Sequence, residues 1–457
     1  MRRAWPLTGL FLTVLIAGCG DETAKQDATT AFASRYVVPE TSPLVIRNAT
    51  ILTGLGEQLD TTDVLVVDGK IRRVGEGLSA PRDAREIDAT GKYVTPGIID
   101  VHSHLGVYPS PGVAAHSDGN EATSPNTAQV WAEHSVWPQD PGFATALAGG
   151  VTTMQILPGS ANLFGGRSVT VKNVFSRTVA EMKFPGAPYG LKMACGENPK
   201  RVYGSRGGAP ATRMGNMAGY RAAWIEARAY QEKIAAARDS DADAPERDLK
   251  LETLAGVLDG DILVHNHCYR ADEMAAMIEL SREFDYKITA FHHAVESYKI
   301  ADLLAENGIC SAMWADWWGF KMEAYDGIVE NVAFVDAAKA CAIVHSDSEI
   351  DIQRLNQEAA KALAAGRRAG LDITDAEAMR WLTVNAAKAL GIEDQTGAIA
   401  EGLNADVVIW DRTPFSVYAK AEQVFIDGAL MYDRNDPDRQ PVTDFALGRV
   451  ETPGGAL

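Results

Sequence analysis

An excess of positive charge is absent from this chain. Its 457 residues contain 43 lysines and arginines against 61 aspartates and glutamates, so the formal net charge is −18 at pH 7. Proteins that bind nucleic acids present clustered lysine and arginine to the phosphates, and no basic stripe of that kind occurs here. The composition therefore argues against nucleic acid as a partner.

Cysteine is also scarce, with five residues in the whole chain. Disulfide scaffolds are typical of small secreted domains with a much higher density of cysteine. Four cysteines lie beyond the first 20 residues, and we expect them to be small core residues near strands, without a disulfide bridge. They are Cys195, Cys268, Cys310 and Cys341.

A hydrophobic run long enough to span a bilayer as a mature helix is missing as well. The apolar stretch Leu7–Ile16 is short and follows two arginines, which is typical of a signal peptide. The residues after it, ending at Cys19, resemble a bacterial lipobox, in which the cysteine carries lipid after cleavage. We therefore expect a lipoprotein signal peptide over residues 1–18 and a polar tether over residues 19–42. The expected location is the bacterial cell envelope, facing the periplasm or the exterior, with the lipid at Cys19 as the only membrane anchor.

Patterns of β-rich and helical segments divide the rest of the chain. Short segments with the alternating pattern of strands, separated by turn signals, occupy residues 43–96, and the same pattern recurs in residues 400–457. These two ends predict one small β-sandwich. Between them, over residues 97–399, β-rich runs alternate with helical ones, as in the α/β class. Eight such runs predict a closed parallel (β/α)8 TIM barrel, and they are Ile98–Val101, Val151–Ile156, Ser168–Lys172, Leu191–Ala194, Ile262–His265, Lys287–Phe291, Ile309–Ala312 and Ala342–Val344.

Histidines occur at the ends of four of these predicted strands. The chain has nine histidines, a frequency at which chance produces well under one His-x-His pair, yet it contains His102–His104 and His265–His267. The adjacent His292 and His293 and the single His345 follow two further strands. Because the C-terminal ends of parallel barrel strands carry the active site, and residues two apart in a strand point the same way, these imidazoles predict a metal site at that rim.

Two motifs resemble those of the amidohydrolase superfamily, and the match is closest to its imidazolonepropionase-like and related peptidase branch. The first is VTPGIIDVHSH at residues 94–104, and the second is NAAKALG at residues 385–391 followed by GLNAD at residues 402–406. The resemblance extends from about residue 44 to residue 432. It implies a metal-dependent hydrolase that cleaves a C–N bond of a small-molecule substrate, whether an amide, a peptide or a cyclic amide, by metal-activated hydroxide.

The same resemblance implies a ligand set for two zinc ions. Lys192 would be carboxylated to bridge the ions, and Asp347 would also accept the proton of the attacking water. The full set of implied ligands is His102, His104, Lys192, His267, His293 and Asp347. Three alternatives stay open: Glu197 in place of Lys192, His265 in place of His267, and His292 in place of His293. One ion instead of two is also compatible with the sequence.

Candidate substrate-binding residues follow the predicted fourth strand. Arg201, Tyr203 and Arg206 lie there, and an arginine can hold a substrate carboxylate through two hydrogen bonds. The long connection over residues 105–139 has the length of a lid, and its His134 is a candidate to reach the site.

Two other functions and one assembly state are compatible with these patterns. A mononuclear-metal deaminase shares the barrel but lacks the strand-four lysine. A non-catalytic binding protein shares the fold without the chemistry, because fold does not fix function. A homo-oligomer is also compatible with the sequence.

Overall fold

The computed structural model describes Met1 and residues 32–110, 112–239, 244–317 and 319–440. The predicted signal peptide beyond Met1, the lipidation site Cys19 and the tether up to residue 31 lie outside the described residues. Within the described residues, no helix combines the length and the apolarity needed to cross a membrane.

The described strands form two sheets of eight strands each. The first sheet takes strands from both ends of the chain. The second sheet takes the strands between them. In chain order the strands are β1 (Leu44–Leu52), β2 (Gln58–Val67), β3 (Lys70–Gly75), β4 (Arg85–Asp88), β5 (Tyr93–Pro96), β6 (Ile98–Ser103), β7 (Val151–Ile156), β8 (Phe164–Lys172), β9 (Gly190–Ala194), β10 (Leu263–Cys268), β11 (Ala290–His293), β12 (Cys310–Met313), β13 (Cys341–Val344), β14 (Val407–Trp410), β15 (Ala421–Ile426) and β16 (Ala429–Asp433).

The first sheet joins the two ends of the chain through one ladder. Its strands run in the order β16-β15-β14-β5-β1-β2-β3, and β4 pairs with β1. β14 lies antiparallel to β5, so the late strands continue the sheet that the early strands begin. A small β-sandwich built from both ends was predicted. The structure has a separate sheet that takes strands from both ends, and this ladder joins them.

The second sheet is a nearly closed barrel whose strands follow chain order from β6 to β13. Most of its strands are buried at every position, as expected of strands covered on both faces. All eight predicted barrel strands are present, and the (β/α)8 architecture is confirmed.

The third barrel strand runs against the direction that the sequence predicts. β8 is antiparallel to both β7 and β9, whereas a uniformly parallel barrel was expected. Only residues 157–163 connect β7 to β8. A parallel crossover needs a dozen or more residues, so this connection is long enough only for a reversal of direction.

Helices pack outside the barrel and mostly follow its strands. One of them, α10 (Asp375–Met379), begins with a capping box in which the side chains of Thr374 and Glu377 each accept a hydrogen bond from the other residue's backbone N–H. The α-helices are α1 (Pro141–Ala148), α2 (Val179–Met182), α3 (Glu197–Gly204), α4 (Arg213–Asp239), α5 (Leu249–Leu258), α6 (Ala271–Phe284), α7 (Ala301–Glu306), α8 (Asn331–Ala337), α9 (Leu355–Arg368), α10 (Asp375–Met379) and α11 (Val384–Leu390).

Four cysteines form two disulfides, so the prediction of no bridge is wrong. Cys195 pairs with Cys268 where β9 and β10 end, and Cys310 pairs with Cys341 where β12 and β13 begin. The Cα atoms are 5.2 Å and 4.4 Å apart, because each pair occupies corresponding positions on neighbouring strands. One disulfide therefore lies at the C-terminal rim of the barrel and the other at its N-terminal face.

A buried ionic cluster joins the barrel to the first sheet. The Lys172 Nζ at the end of β8 lies 2.8 Å from the Asp427 Oδ2 and 3.4 Å from the Asp406 Oδ1. The Tyr36 hydroxyl donates to Asp427, and the Thr396 hydroxyl donates to Asp406. Within the segment predicted as a tether, the chain is fixed to the folded unit from Ser34 onward, where the Ser34 hydroxyl donates to the Lys183 carbonyl.

Candidate metal centre

A cavity of about 430 Å³ opens at the C-terminal rim of the barrel. All six predicted metal ligands line it, although they come from the ends of five different strands. Its wall is formed by His102, His104, Tyr108, Asn120, Gly159, Ser160, Lys192, Glu197, Asn198, Arg201, His267, Tyr269, His293, Phe320, Lys321 and Asp347.

Asp347 lies at the centre of the histidines. Its Oδ1 is 3.3 Å from the His102 Nε2 and 3.2 Å from the His104 Nε2, and its Oδ2 is 3.6 Å from the His293 Nδ1. Burial alone would raise the pKa of this carboxyl, but the hydrogen bond and the charge of His104 hold it below its ordinary value. The carboxylate is therefore ionised at neutral pH.

A second set of ring nitrogens, from His102, His293 and His345, converges within 4.8 Å. The Nδ1 atoms of His293 and His345 are buried without a hydrogen-bond partner, and so is the Nδ1 of His267. Burial lowers the pKa of His345 to about 3 and lowers the pKa values of His293 and His267 well below their ordinary value. These rings are neutral, and a neutral imidazole is the form that binds metals.

Lys192 extends from β9 into the same cluster and is fully buried. Its Nζ donates to the Pro158 carbonyl at 3.0 Å and lies 3.4 Å from the His102 Nε2. Burial lowers the pKa of this amine to about 8, although the charge of Asp347 acts in the opposite direction. A substantial fraction of the amine is therefore neutral near pH 8.

Two residues of the cluster have a left-handed backbone. The φ angle is 69° at His293 and 50° at Asp347, a region that non-glycine residues rarely adopt. The Asp347 N–H donates to the His102 carbonyl, and the buried Asp100 carboxylate accepts from the N–H groups of His102 and Ser346. These bonds hold the ends of β6 and β13 together and fix the left-handed backbone at Asp347.

The structure places one histidine of each open pair at the cavity. His267 and His293 face the cavity, and the Asn198 side-chain nitrogen lies 3.3 Å from the His267 Nε2. His265 and His292 lie below the cavity and contact each other. The Glu197 carboxylate lies 3.7 Å from the Lys321 Nζ and belongs to neither convergent group of ligand atoms found among the described residues.

One of the three candidate substrate-binding residues, Arg201, lines the cavity. Tyr203 is buried and donates to the Ser124 carbonyl, and Arg206 donates to the Ala122 carbonyl at the surface. Tyr203 and Arg206 thus fix the long loop over residues 105–139 to the segment after β9. His134 of that loop stacks on Trp131 and does not line the cavity.

Lys321 is a cavity residue that sequence reasoning missed. Its ammonium lies 3.8 Å from the centroid of the Tyr269 ring and donates to the Asn198 side chain at 3.2 Å. It lies in the long connection after β12, where no periodic pattern marks a position. The signal available in the sequence was the length of that connection, since long loops at this rim often carry binding residues.

The residues fit a divalent metal. The donor set combines buried neutral imidazoles, one ionised carboxylate and a lysine that can be carboxylated, which are nitrogen and oxygen ligands that zinc accepts. The unpartnered Nδ1 atoms of His267 and His293 are the specific observation, because a buried ring nitrogen without a partner is costly unless a ligand satisfies it.

Similarity to other proteins extends over most of the chain. Residues 93–431 match the sequence model of the Amidohydrolase family. The chain is 34% identical over 442 residues to amidohydrolase tasK of Hapsidospora irregularis, a match that covers 87% of this chain and 44% of that protein. The chain therefore spans less than half the length of this relative. A stretch of 46 residues, 10% of this chain and 11% of the other, is 59% identical to the dihydroorotase of Geotalea daltonii.

Solved structures agree with this assignment. An amidohydrolase from Thermotoga maritima MSB8 superposes with a TM-score of 0.80 at 37% identity, over 86% of this chain and all of the other. A putative prolidase from Bifidobacterium longum shares the fold at 16% identity, with a TM-score of 0.52 over 86% of this chain and 95% of the other. The imidazolonepropionase-like branch stays a prediction. The extent of the sequence match, together with the barrel and the rim cluster, shows that this chain belongs to the amidohydrolase family.

Proposed function

We propose that the protein is a metal-dependent hydrolase of a C–N bond in a small substrate. The observation that carries the proposal is the convergence of the histidine nitrogens and Asp347 on one buried rim, where the Nδ1 atoms of His267 and His293 have no hydrogen-bond partner. Membership in the amidohydrolase family supports it, as do relatives named amidohydrolase and dihydroorotase.

The proposed ligands are His102, His104, Lys192, His267, His293 and Asp347, with zinc as the ion. A bound divalent ion supplies Lewis acidity, which lowers the pKa of water and polarises a scissile carbonyl. Two ions are proposed because the neutral fraction of the Lys192 amine is able to bind CO2, and the resulting carbamate offers two oxygens.

Asp347 is the proposed general base. Its carboxylate is ionised and is 23% exposed toward the cavity, so it is able to take a proton from water and to deliver it to a leaving nitrogen. The Nδ1–H of the nearby His104 donates a hydrogen bond to the Leu157 carbonyl at 2.9 Å. That hydrogen bond fixes the orientation of the His104 ring and leaves Nε2 directed at the carboxylate and the metal position.

The proposed substrate carries a carboxylate. Arg201 and Lys321 are two cations on the wall of the same cavity. Burial lowers the pKa of Lys321, and the charge of Arg201 lowers it further against the opposing effects of Glu323 and Glu197. A substrate carboxylate bound near both cations would stabilise them, which favours N-acyl amino acids, dipeptides and cyclic ureides that carry an acid group.

Metal analysis tests the first part of this proposal. The purified protein reconstituted with zinc should hold about one to two equivalents per chain, and a His102→Ala/His104→Ala double variant should lose most of it. His134→Ala is the matched control, because that ring does not line the cavity. Unchanged metal content in the double variant would place the metal elsewhere.

A substrate screen tests the second part. Each acid in a library of dipeptides, N-acyl amino acids and cyclic ureides is paired with its uncharged amide, and the products are analysed. We expect hydrolysis of the acids, with a raised KM in Arg201→Ala for the acids alone. Release of ammonia from an amino-substituted ring as the only reaction would favour a deaminase.

We also propose that the protein is exported and anchored through lipid at Cys19. The two disulfides support this location, since disulfides are rare in reducing compartments. Cys19→Ser should release the protein from the membrane fraction, because the lipid is the only proposed anchor. A variant that still sediments with membranes after a salt wash would contradict the anchor.

A further inference from the structure

A row of buried rings extends from the metal centre into the barrel interior. The His102 Nδ1 lies 2.9 Å from the His292 Nδ1, and the His292 Nε2 lies 2.9 Å from the His265 Nδ1. The row ends at Gln155, whose side-chain nitrogen is 3.1 Å from the His265 Nε2. All three rings have no exposed surface, and Gln155 is 1% exposed.

Each contact in this row needs one hydrogen between two nitrogens. A neutral imidazole carries one hydrogen, on either Nδ1 or Nε2, so the choice made by one ring dictates the choice of the next. The whole row therefore has only two consistent arrangements. In one, every hydrogen points away from the metal centre, and in the other, every hydrogen points toward it.

The outward arrangement leaves the His102 Nε2 free of hydrogen. His102 then donates from Nδ1 to His292, His292 donates from Nε2 to His265, and the His265 Nε2–H needs an acceptor. The Gln155 Oε1 is buried without a partner. Because the oxygen and nitrogen of an amide exchange places on a half-turn, that turn gives His265 its acceptor.

The inward arrangement places the hydrogen on the His102 Nε2. This nitrogen lies 3.3 Å from the Asp347 Oδ1 and 3.4 Å from the Lys192 Nζ. A ring nitrogen that carries a hydrogen has no lone pair for a metal, so His102 would be lost as a ligand. The direction of the row and metal binding by His102 are therefore mutually dependent.

We propose that His292, His265 and Gln155 are positioning residues that hold His102 in its metal-binding tautomer, with Gln155 as the terminal acceptor. Partners of this kind fix the ring of a ligand and increase its basicity. His104 is fixed by a single backbone carbonyl, whereas His102 depends on three side chains in series. This inference rests on the proposed function in one respect, which is that His102 binds the metal.

Histidine tautomers in the zinc-loaded protein give the direct test. In protein labelled with 15N-histidine, ring nitrogens with and without hydrogen are separated by chemical shift, and single variants assign the nine histidines. We expect the hydrogen on Nδ1 of His102 and on Nε2 of both His292 and His265. A hydrogen on Nδ1 of His292 or His265 would overturn the inference. A protein that binds no zinc would instead overturn the proposed function.

Two substitutions of Gln155 test the end of the row through metal affinity. Gln155→Leu removes the acceptor, and we expect zinc binding, measured by chelator competition, to weaken about 10- to 100-fold. Gln155→Glu keeps an acceptor oxygen but has no N–H to donate, so it should stay close to the unmodified protein. Thr153→Val is the packing control, since Thr153 is buried on the same strand outside the row.

Comparing Gln155→Leu with Gln155→Glu separates the loss of the acceptor from a change in packing at this position. Unchanged zinc affinity in Gln155→Leu would overturn the inference, and so would an equal loss in Gln155→Glu and Gln155→Leu when both are folded. If Gln155→Glu fails to fold, the tautomers of the unmodified protein still decide the direction of the row.

Discussion

Two lysines on neighbouring barrel strands are equally buried but differ in their partners. Lys172 on β8 and Lys192 on β9 both have side chains with at most about 1% exposure. The Lys172 ammonium has two carboxylates within 3.4 Å. Within the described part of the chain, no carboxylate oxygen lies within 4.0 Å of the Lys192 Nζ, which contacts a carbonyl and a histidine nitrogen.

The difference indicates a structural role for Lys172 and a role at the candidate metal centre for Lys192. A buried charge is costly unless it is paired, and Lys172 is paired at the junction of barrel and sheet. Lys192 is not paired with a carboxylate, and burial lowers the pKa of its amine to about 8. A perturbed group in a cavity is a candidate for function, so loss of each lysine should produce an opposite pattern of defects.

Lys192→Met has the largest expected effect on activity. Methionine fills a similar volume but cannot be carboxylated, so metal content should fall and hydrolysis should drop to the level of the metal-free protein. Stability should be unchanged or higher, because an unpaired amine is replaced by an apolar chain. Metal analysis and urea unfolding measure the two quantities. A variant that keeps full metal and activity would shift the assignment to Glu197.

The pH dependence of reconstitution sharpens this prediction. The neutral amine reacts with CO2, and burial lowers the pKa of Lys192 to about 8, so its neutral fraction grows as the pH rises through that value. At constant CO2 pressure, recovery of activity by metal-free protein should therefore speed up toward pH 8 and level off above it. Recovery that is independent of both pH and CO2 would contradict carboxylation.

Asp347→Asn should have the next largest effect. Asparagine is nearly isosteric and keeps one oxygen for the metal, but it cannot accept a proton. We expect a folded protein with much of its metal and a kcat lower by roughly 10²- to 10⁴-fold, the range for removing a general base. The acidic limb of the kcat/KM profile should move or vanish. Full activity with an unchanged profile would exclude Asp347 as the base.

Lys172→Met should lower stability and spare activity, which is the opposite of the result expected for Lys192→Met. The substitution leaves Asp406 and Asp427 buried together without a cation, and breaking a buried pair in this way costs about 3–5 kcal/mol of unfolding free energy. The folded fraction should keep its metal and its activity. Lys92→Met is the control, since Lys92 pairs with Glu422 where both are partly exposed, and it should cost less than about 1 kcal/mol. Equal costs for the two variants would contradict the structural role of Lys172.

The sequence predicts this fold well wherever a pattern reflects burial. All eight barrel strands are present because continuous apolar runs mark strands covered on both faces. The reversal of β8 depends on where that strand begins. The apolar run Ser168–Lys172 predicts a connection over residues 157–167, whereas β8 begins at Phe164 and leaves only residues 157–163. The two disulfides depend on strand register, which places Cys310 opposite Cys341, and composition carries no register.

The candidate site was predictable where strand ends carry the chemistry. His102 and Asp347 lie at the ends of β6 and β13, and a parallel barrel brings such ends to one rim. Lys321 lies in a loop whose path is set by contacts such as the cation–π contact between the Lys321 ammonium and the Tyr269 ring. The row behind His102 was hidden for another reason, since a sequence lists histidines but does not say which ring nitrogens meet.

The two disulfides, like the two lysines, differ in whether they lie beside the cavity. Their removal gives the smallest effect on zinc binding that we predict. Cys195–Cys268 joins the ends of β9 and β10 beside the cavity, and Cys310–Cys341 joins the starts of β12 and β13 on the opposite face. They close chain segments of 73 and 31 residues, for which the chain-entropy account predicts similar stabilisation, typically about 2–4 kcal/mol each.

Replacing either pair of cysteines with serine should therefore lower the unfolding free energy by a similar amount. Only the Cys195→Ser/Cys268→Ser variant should also weaken zinc binding, because it frees the strand end that carries His267. Equal losses of zinc affinity in both double variants, measured under conditions in which both are folded, would show that the two faces of the barrel are not separated in this way.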